Sequence, residues 1–158
     1  MSQGITVREA RLDDESEVET LFEILDAYAR GPGGQSAPLS DLARENLGPG
    51  LRDHPNAFVL FGALSDRVVG AAVCVWSYST FAGKPSVNLH DFSVLPEAQG
   101  LGVGTALLGD LERRARERGC AKLTLEVHDS NESAMRLYAR FGFVGWAPST
   151  LFVSKPLL

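Results

Sequence analysis

Residues 87–108, with the sequence VNLHDFSVLPEAQGLGVGTALL, constrain the fold more than any other part of the chain. Residues 87–95 are apolar and rich in β-branched and aromatic types, which predicts a buried strand. Pro96 ends this strand, because proline has no N–H to donate to a sheet ladder. Residues 105–118 then show helical spacing, and Gly119 provides a C-terminal stop. A buried strand followed directly by a helix predicts an α/β domain with a parallel crossover.

The loop between this strand and helix carries glycines at positions 100, 102 and 104. Glycine lets the backbone approach a ligand closely, and the free N–H groups and dipole of a helix N-terminus favour an anion. The backbone of residues 101–105 is therefore predicted to hold a phosphate or pyrophosphate. The loop lacks the Gly-Lys-Ser/Thr of a P-loop and the G-x-G-x-x-G spacing of a dinucleotide fold. A glycine-rich turn without a ligand is the alternative interpretation.

Two segments resemble motifs of the GNAT superfamily of N-acetyltransferases. Residues 94–104 contain V-x-P-E followed by Q-x-x-G-x-G, and residues 131–143 contain N-x-x-A-x-x-x-Y-x-x-x-G-F. Residues 78–84 and 89–92 further resemble the spermidine/spermine and thialysine acetyltransferase branch. The resemblance extends over roughly residues 5–155 and implies the GNAT fold, a mixed central sheet flanked by about four helices. It also implies acetyl-CoA as the cofactor, with coenzyme A as the product.

The resemblance assigns a role to Tyr138, which matches a tyrosine that lies near the thioester sulfur and acts as the general acid. A phenol has a reference pKa of about 10, so it is protonated at neutral pH and can donate to a thiolate. A core tyrosine on an apolar helix stripe is the alternative. Asn131 is implied to hydrogen-bond the cofactor, with helix capping as the alternative. The cofactor-binding residues implied by the resemblance are Phe92, Ser93, Val94, Gln99, Gly100, Leu101, Gly102, Val103, Gly104, Thr105 and Asn131.

His90 and Asp91 are the candidates for the base that deprotonates the acceptor amine. A glutamate occupies the place of His90 in the polyamine branch, so polyamine specificity is in doubt while acetyl transfer is not. Apolar residues in 87–95 occupy odd positions before His90 and even positions after Asp91. A β-bulge would produce this change of phase and could open a slot for a ligand. A strand buried on both faces, in which parity carries no information, is the alternative.

The composition is that of one ordinary globular domain spanning residues 1–158, with 44% apolar and 22% charged residues. The net charge of −5 argues against nucleic acid as the main partner and is compatible with a cationic substrate. No segment resembles a membrane span or a signal peptide, so a cytoplasmic location is expected. Cys74 and Cys120 lie in apolar, strand-like contexts and are predicted to be free thiols without metal-site spacing.

Elsewhere in the chain, capping patterns predict three further helices. Asp13 or Asp14 caps the first, and Asp14 with Glu17 resembles a capping box. The second begins after Ser40 and is predicted to end at residues 48–50, which read Gly-Pro-Gly. The last begins near residue 131, with Ser130 or Asp129 as its cap. Further strands are predicted at residues 5–10, 56–63, 68–77 and 121–127, with a final hairpin within residues 144–158.

The region between the first and second strands helps to wall the acceptor site in the resembled family. Its polar side chains are predicted to form a solvated surface, with substrate contact as the alternative. These side chains are Tyr28, Asp41, Glu45, Asp53 and His54.

The resulting expectation is an acetyl-CoA-dependent N-acetyltransferase that acts on a small molecule with a primary amine by direct transfer in a ternary complex. Neither cysteine lies in a motif segment, so a covalent acetyl-enzyme is not expected. The alternatives are a protein lysine or N-terminal acetyltransferase and an acyl-CoA-sensing module that binds without turnover. A homodimer is compatible with the resemblance.

Overall fold

The computed structural model describes residues 4–146 and 151–158, which form a mixed five-stranded sheet with helices. The elements are β1 (Ile5–Glu9), α1 (Glu15–Arg30), α2 (Asp41–Asp53), β2 (Ala57–Leu64), β3 (Arg67–Ser79), β4 (Lys84–Val94), α3 (Val103–Glu117), β5 (Leu123–Leu125) and α4 (Glu132–Arg140). The strands follow the spatial order β1-β2-β3-β4-β5, with β4 and β5 parallel and the other neighbours antiparallel. A single 3₁₀ turn at Pro96–Ala98 follows the end of β4, as Pro96 predicted.

Helix α3 lies close against the sheet because two strand glycines leave room for it. A Cβ at Gly62 would lie 2.7 Å from Val103 Cγ1, and one at Gly70 would lie 3.0 Å from the same atom. Leu107 and Leu111 on the predicted apolar stripe are fully buried. This packing fixes the N-terminus of α3 beside the end of β4.

The predicted β-bulge is present in β4 at His90. Val73 of β3 pairs with Asp91 while the next residue, Cys74, pairs with Leu89, so His90 is the extra residue. Pairing between β4 and β5 ends at Leu89, and β4 leaves β5 beyond the bulge. The change of phase in the sequence therefore reported a real irregularity, and the slot that it predicted lies between these two strands.

The prediction that α2 ends at residues 48–50 is wrong, because the helix continues to Asp53. Glu45 is exposed, so water can satisfy the carbonyl left unbonded when Pro49 provides no N–H. Gly48 does not end the helix. It allows α1 to pack closely, since a Cβ at Gly48 would lie 3.0 Å from Val18 Cγ1 of α1. The two helices can therefore approach closely at this point.

Helix α1 is capped as predicted by Asp14, whose side chain accepts from Ser16 N, but the capping box is wrong. Glu17 is buried and accepts hydrogen bonds from the Arg11 backbone and from the Arg8 and Arg11 side chains. These charged partners lower the pKa of Glu17 against the opposing effect of its burial.

The last part of the chain differs from prediction in its strands. β5 covers three residues instead of 121–127, because β4 has moved away beyond the bulge and leaves residues 126 and 127 without a partner strand. Residues 144–146 and 151–158 contain no strand, so the predicted hairpin is absent from the described tail. Residues 147–150, on which part of that prediction falls, lie outside the described residues.

Both cysteines are free thiols, as predicted. Cys74 is buried in β3, and burial raises its pKa to about 12. Cys120 is partly exposed and lies in the loop before β5, not in a strand. Within the described residues, no helix is long and apolar enough to cross a membrane.

Candidate active site

A cavity of about 1390 Å³ opens where β4 separates from β5. Its walls include the end of α1, the bulge of β4, the loop that follows β5, and α4, with further residues from α2, α3 and β5. Residues from distant parts of the chain therefore surround one space. The residues predicted from sequence that line the cavity are His90, Asp91, Phe92, Asn131 and Tyr138.

His90 and Asp91 both line this cavity although they are adjacent in β4. Adjacent residues of a regular strand point to opposite faces, and the bulge removes that alternation. His90 is exposed, whereas Asp91 is half-buried. Burial raises the pKa of Asp91 from its ordinary value, and the charge of His90 acts in the opposite direction. A carboxylate poised in this way can bind an ammonium group or accept a proton.

Tyr138 is both a core residue and a cavity residue. Its side chain is 5% exposed, and its ring packs 6.0 Å from the ring of Phe92 and 5.7 Å from that of Phe143. Burial raises the pKa of Tyr138 to about 12, with a further contribution from the charge of Tyr28. The phenol therefore keeps its proton at neutral pH and is available as a donor, which is the state a general acid requires.

The glycine loop delivers an open helix N-terminus beside the end of β4. Gly100 and Gly102 have φ angles of +76° and +96°, which favour glycine, and Gly102 caps α3 without a side-chain hydrogen bond. Ala106 N donates to Gly102 O, so the amides of residues 103–105 precede the helical ladder. A Cβ at Gly100 would meet no described atom within 4 Å, which leaves room above the loop. This arrangement fits an anionic phosphate group.

The loop residues lie outside the cavity wall, and Phe92 connects the two regions. A Cβ at Gly104 would lie 3.3 Å from both Phe92 Cζ and Leu137 Cδ2. Glycine at this position therefore lets these two side chains pack against the backbone of α3. Gln99 Nε2 donates to Val94 O at 3.0 Å and ties the loop to the end of β4. The predicted residues along this strand end and loop that do not line the cavity are Ser93, Val94, Gln99, Gly100, Leu101, Gly102, Val103, Gly104 and Thr105.

Asn131 is the N-cap of α4, and its Oδ1 accepts a hydrogen bond from Ala134 N at 3.3 Å. The alternative of helix capping is therefore confirmed, and the assignment of the cap to Ser130 or Asp129 is wrong. Asn131 also lines the cavity, where a Cβ at Gly33 would lie 3.6 Å from its Nδ2. Its contact with a cofactor stays a prediction.

Tyr28, predicted with the solvated surface between the first two strands, belongs to the cavity wall instead. Tyr28 lines the cavity and donates from its hydroxyl to Gly33 O at 2.8 Å. Burial raises its pKa, with a contribution from the charge of Asp91. A signal was present, since Tyr28 continues the apolar stripe of Leu21 and Leu25 just before a glycine-rich break. The other polar residues of that region, Asp41, Glu45, Asp53 and His54, are exposed as predicted.

Acidic groups outnumber fixed cations around the cavity. Four carboxylates line it against one lysine, and two histidines lie among them. This balance favours a cationic ligand. The described residues contain no group of His, Cys, Asp and Glu side chains suited to hold a metal ion. The charged and titratable groups concerned are Asp91, Glu112, Glu126, Asp129, Lys122, His90 and His128.

Comparison with known proteins identifies the family. A model of the acetyltransferase (GNAT) family matches residues 18–143, which is most of the chain. The chain therefore belongs to the acetyltransferase (GNAT) family, as the two motifs implied. The thialysine N-epsilon-acetyltransferase of Bos taurus is 39% identical over 75 residues, covering 48% of this chain. The match spans 44% of that relative, so the chain covers less than half of its length.

Solved structures share the fold over nearly the whole chain. An aminoglycoside acetyltransferase from an uncultured soil metagenomic sample, in complex with sisomicin, has a TM-score of 0.78 at 16% identity. The match covers 96% of each chain. The ribosomal-protein-alanine N-acetyltransferase of Brucella melitensis has a TM-score of 0.74 at 18% identity, covering 96% of this chain and 100% of the other. The prediction of a GNAT fold is confirmed.

The raised pKa of Asp91 predicts how stability depends on pH. Folding raises the pKa of the Asp91 carboxyl. Its contribution to the stability of the folded state is fully present below the pKa of the unfolded chain, and it is lost as the pH rises through the pKa of the folded protein. Asp91→Asn should therefore raise the Tm by a few degrees at pH 7. The gain should shrink as the pH falls towards 3.8, the ordinary value of the group.

Thermal unfolding of both proteins over a pH series measures this difference. Asp66→Asn, in the exposed turn between β2 and β3, is the matched control and should leave the pH dependence of the Tm unchanged. If Asp91→Asn raised the Tm equally at all pH values, the claim that burial raises the pKa of Asp91 would be contradicted.

Proposed function

We propose that this protein is an acetyl-CoA-dependent N-acetyltransferase that acetylates the primary amine of a small molecule. The observation that carries the proposal is the bulge at His90, which opens β4 from β5 and gathers His90, Asp91 and Tyr138 around one cavity. Residues 1–158 are proposed to act as one domain.

Two sets of backbone amides are proposed to hold the acyl donor. GNAT acetyltransferases use acetyl-CoA, which supplies the acetyl group as a thioester. The amides of residues 101–105, at the start of α3, would bind its pyrophosphate through the free donors and dipole of the helix N-terminus. Residues 92–94 lie beyond the end of β4–β5 pairing, and a backbone N–H among them would polarise the thioester carbonyl.

Two side chains are proposed to move protons during transfer. An amine attacks only when neutral, so His90 would accept the ammonium proton, directly or through a water molecule. Tyr138 would donate its proton to the sulfur as the C–S bond breaks and the N–C bond forms. Tyr138 lines the cavity and is protonated at neutral pH, which supports this role, whereas its raised pKa makes the phenol a weaker donor than an exposed tyrosine. Asp91 is the alternative base.

A small cationic amine is the acceptor that the observations favour. Carboxylates outnumber fixed cations on the cavity wall by four to one, and they attract an ammonium group. The bovine relative is named for acetylating the ε-nitrogen of thialysine. That match covers less than half of the relative, so it supports the acceptor class without naming one acceptor.

The phosphate-binding role of the loop can be tested at Thr105, an exposed residue in the first turn of α3. Thr105→Glu places a negative charge beside the proposed pyrophosphate site, while a carboxylate in this turn suits the helix dipole. Acetyl-CoA should bind at least ~10-fold more weakly, equivalent to about 1.4 kcal/mol, and the Tm should stay equal or rise. Isothermal titration calorimetry measures the binding.

Thr105→Gln is the matched control, because it has the same size without the charge. It should bind acetyl-CoA much as the unmodified protein does. Equal affinity of the glutamate and glutamine variants would contradict a phosphate site at this helix end.

Tyr138→Phe tests the general acid, since it keeps the packing against Phe92 and Phe143 and removes only the hydroxyl. The turnover number should fall by roughly 10²–10⁴-fold, while the Kd for acetyl-CoA should change little. Initial rates of thiol release measure turnover. Tyr78→Phe, on the exposed part of β3, is the control and should turn over normally. Normal turnover by Tyr138→Phe would return this residue to a packing role.

His90→Gln tests the base. If His90 accepts the ammonium proton, kcat/KM should rise with pH through its titration, and His90→Gln should remove that limb and lower the rate at neutral pH. His54→Gln, at the exposed C-terminus of α2, is the control. If His90→Gln keeps the limb and Asp91→Asn loses it, Asp91 is the base.

A further inference from the structure

We infer that Asn88 is a positioning residue, whose amide clamps β5 to β4 just before the two strands separate and thereby sets the position of Tyr138 across the cavity. The inference rests on the general-acid role that the proposed function gives to Tyr138. Asn88 belongs to neither of the two GNAT motifs. It does not line the cavity, so it acts through another residue.

The side chain of Asn88 binds β5 twice. Its Nδ2 donates to Thr124 Oγ1 at 2.9 Å and to the backbone oxygen of Thr124 at 3.3 Å. Asn88 and Thr124 are also the middle pair of the β4–β5 ladder, which has three pairs. The next pair, Leu89 with Leu125, is the last one before the bulge. The clamp therefore lies directly beside the point where the strands separate.

The apolar side chains of β5 do not fix its alignment with β4 by themselves. Apolar residues occupy positions 121, 123, 125 and 127, so a shift by two residues would present the same pattern to the sheet. Such a shift would place a long charged side chain, Lys122 or Glu126, beside Asn88 in place of the Thr124 hydroxyl. A single polar contact between apolar elements can specify register in this way. The contact between Asn88 and Thr124 therefore favours one alignment.

The alignment of β5 is passed on to α4 through a short connection. β5 ends at Leu125 and α4 begins at Glu132. Between them, Asn131 N donates to His128 O at 3.0 Å, and Asn131 caps the helix. A strand advances about 3.3 Å per residue, so a two-residue shift would move this connection by about 6.6 Å. Tyr138 therefore faces the bulge of β4 in the alignment that Asn88 favours.

General acid catalysis is sensitive to this position, because the phenol must lie within hydrogen-bond reach of the leaving sulfur. A displacement of about 1 Å can cost on the order of 10²-fold in rate. The phosphate loop, in contrast, is tied to β4 by the hydrogen bond from Gln99 to Val94 O and does not depend on β5. Loss of the clamp should therefore lower turnover more than it lowers affinity for acetyl-CoA.

Asn88→Val tests the inference in the full chain, because valine suits a strand and lacks the amide. The turnover number should fall about 10-fold or more, while the Kd for acetyl-CoA and the Tm should change little. Thr124→Val, which removes Oγ1, should give a similar loss, and Thr124→Ser should restore turnover because it keeps the hydroxyl. Ser77→Ala is the matched control, since it removes a 2.7 Å hydroxyl contact with Ser86 between β3 and β4, which stay paired there. It should turn over normally.

Two further measurements separate positioning from a general loss of structure. In a Tyr138→Phe background, Asn88→Val should cause little further loss of turnover, because both changes affect one proton transfer. Hydrogen exchange of the Asn88→Val protein should become faster in residues 121–131 and should stay unchanged in β2 and β3.

Other outcomes overturn the inference in distinguishable ways. Normal turnover by Asn88→Val, with an impaired Tyr138→Phe variant, would show that the clamp does not position the acid. Losses that multiply in the double variant would show that Asn88 acts independently of Tyr138. A large fall in Tm for both valine variants would show that the contact only holds the fold together.

Failure of the proposed function has a separate signature. Normal turnover by Tyr138→Phe would defeat the general acid and, with it, the route proposed for Asn88. If the unmodified protein acetylates no amine, the proposed function fails, and hydrogen exchange alone decides whether the clamp exists. Exchange in residues 121–131 that is the same with and without the Asn88 amide would overturn the clamp itself.

Discussion

One extra residue in β4 determines where this structure opens. Regular pairing would keep β4 beside β5 along its length and would leave its backbone groups satisfied by the neighbouring strand. The bulge at His90 ends that pairing at Leu89, shortens β5, and turns both His90 and Asp91 towards the same cavity. Beyond the bulge, β5 no longer pairs with the backbone of β4. The site thus depends on a local defect in an otherwise continuous sheet.

The parts of this arrangement that local sequence controls could be predicted. The bulge was visible as a change of parity at His90, because alternation along a half-buried strand reports the pleat directly. The loop and α3 followed from the glycines and the apolar stripe of residues 105–118, since positive φ and helical spacing are short-range properties. The two GNAT motifs identified the family for the same reason, as each one lies within a single continuous segment.

Features that depend on contacts between distant segments could not be predicted. Gly48 looked like a helix stop, but it is packed against Val18, a contact that only the assembled α1 and α2 reveal. Tyr28 continues the apolar stripe of α1, but local sequence does not show that the stripe ends at a cavity, because Asp91 and Tyr138 are more than sixty residues away in the chain. The described tail residues have strand-like composition without a strand, since β-propensity requires a partner to become a ladder.

The cavity beside the bulge is proposed to transfer an acetyl group to an amine, and not only to bind an acyl-CoA. The most direct measurement is the rate of thiol release from acetyl-CoA across polyamines, amino acids, aminoglycosides and peptides, with both substrates varied for any active amine. The account predicts release that requires a small primary amine, with intersecting double-reciprocal plots that indicate a ternary complex. Release that no amine stimulates, in a protein that binds acetyl-CoA, would contradict it and would indicate a module that binds without turnover.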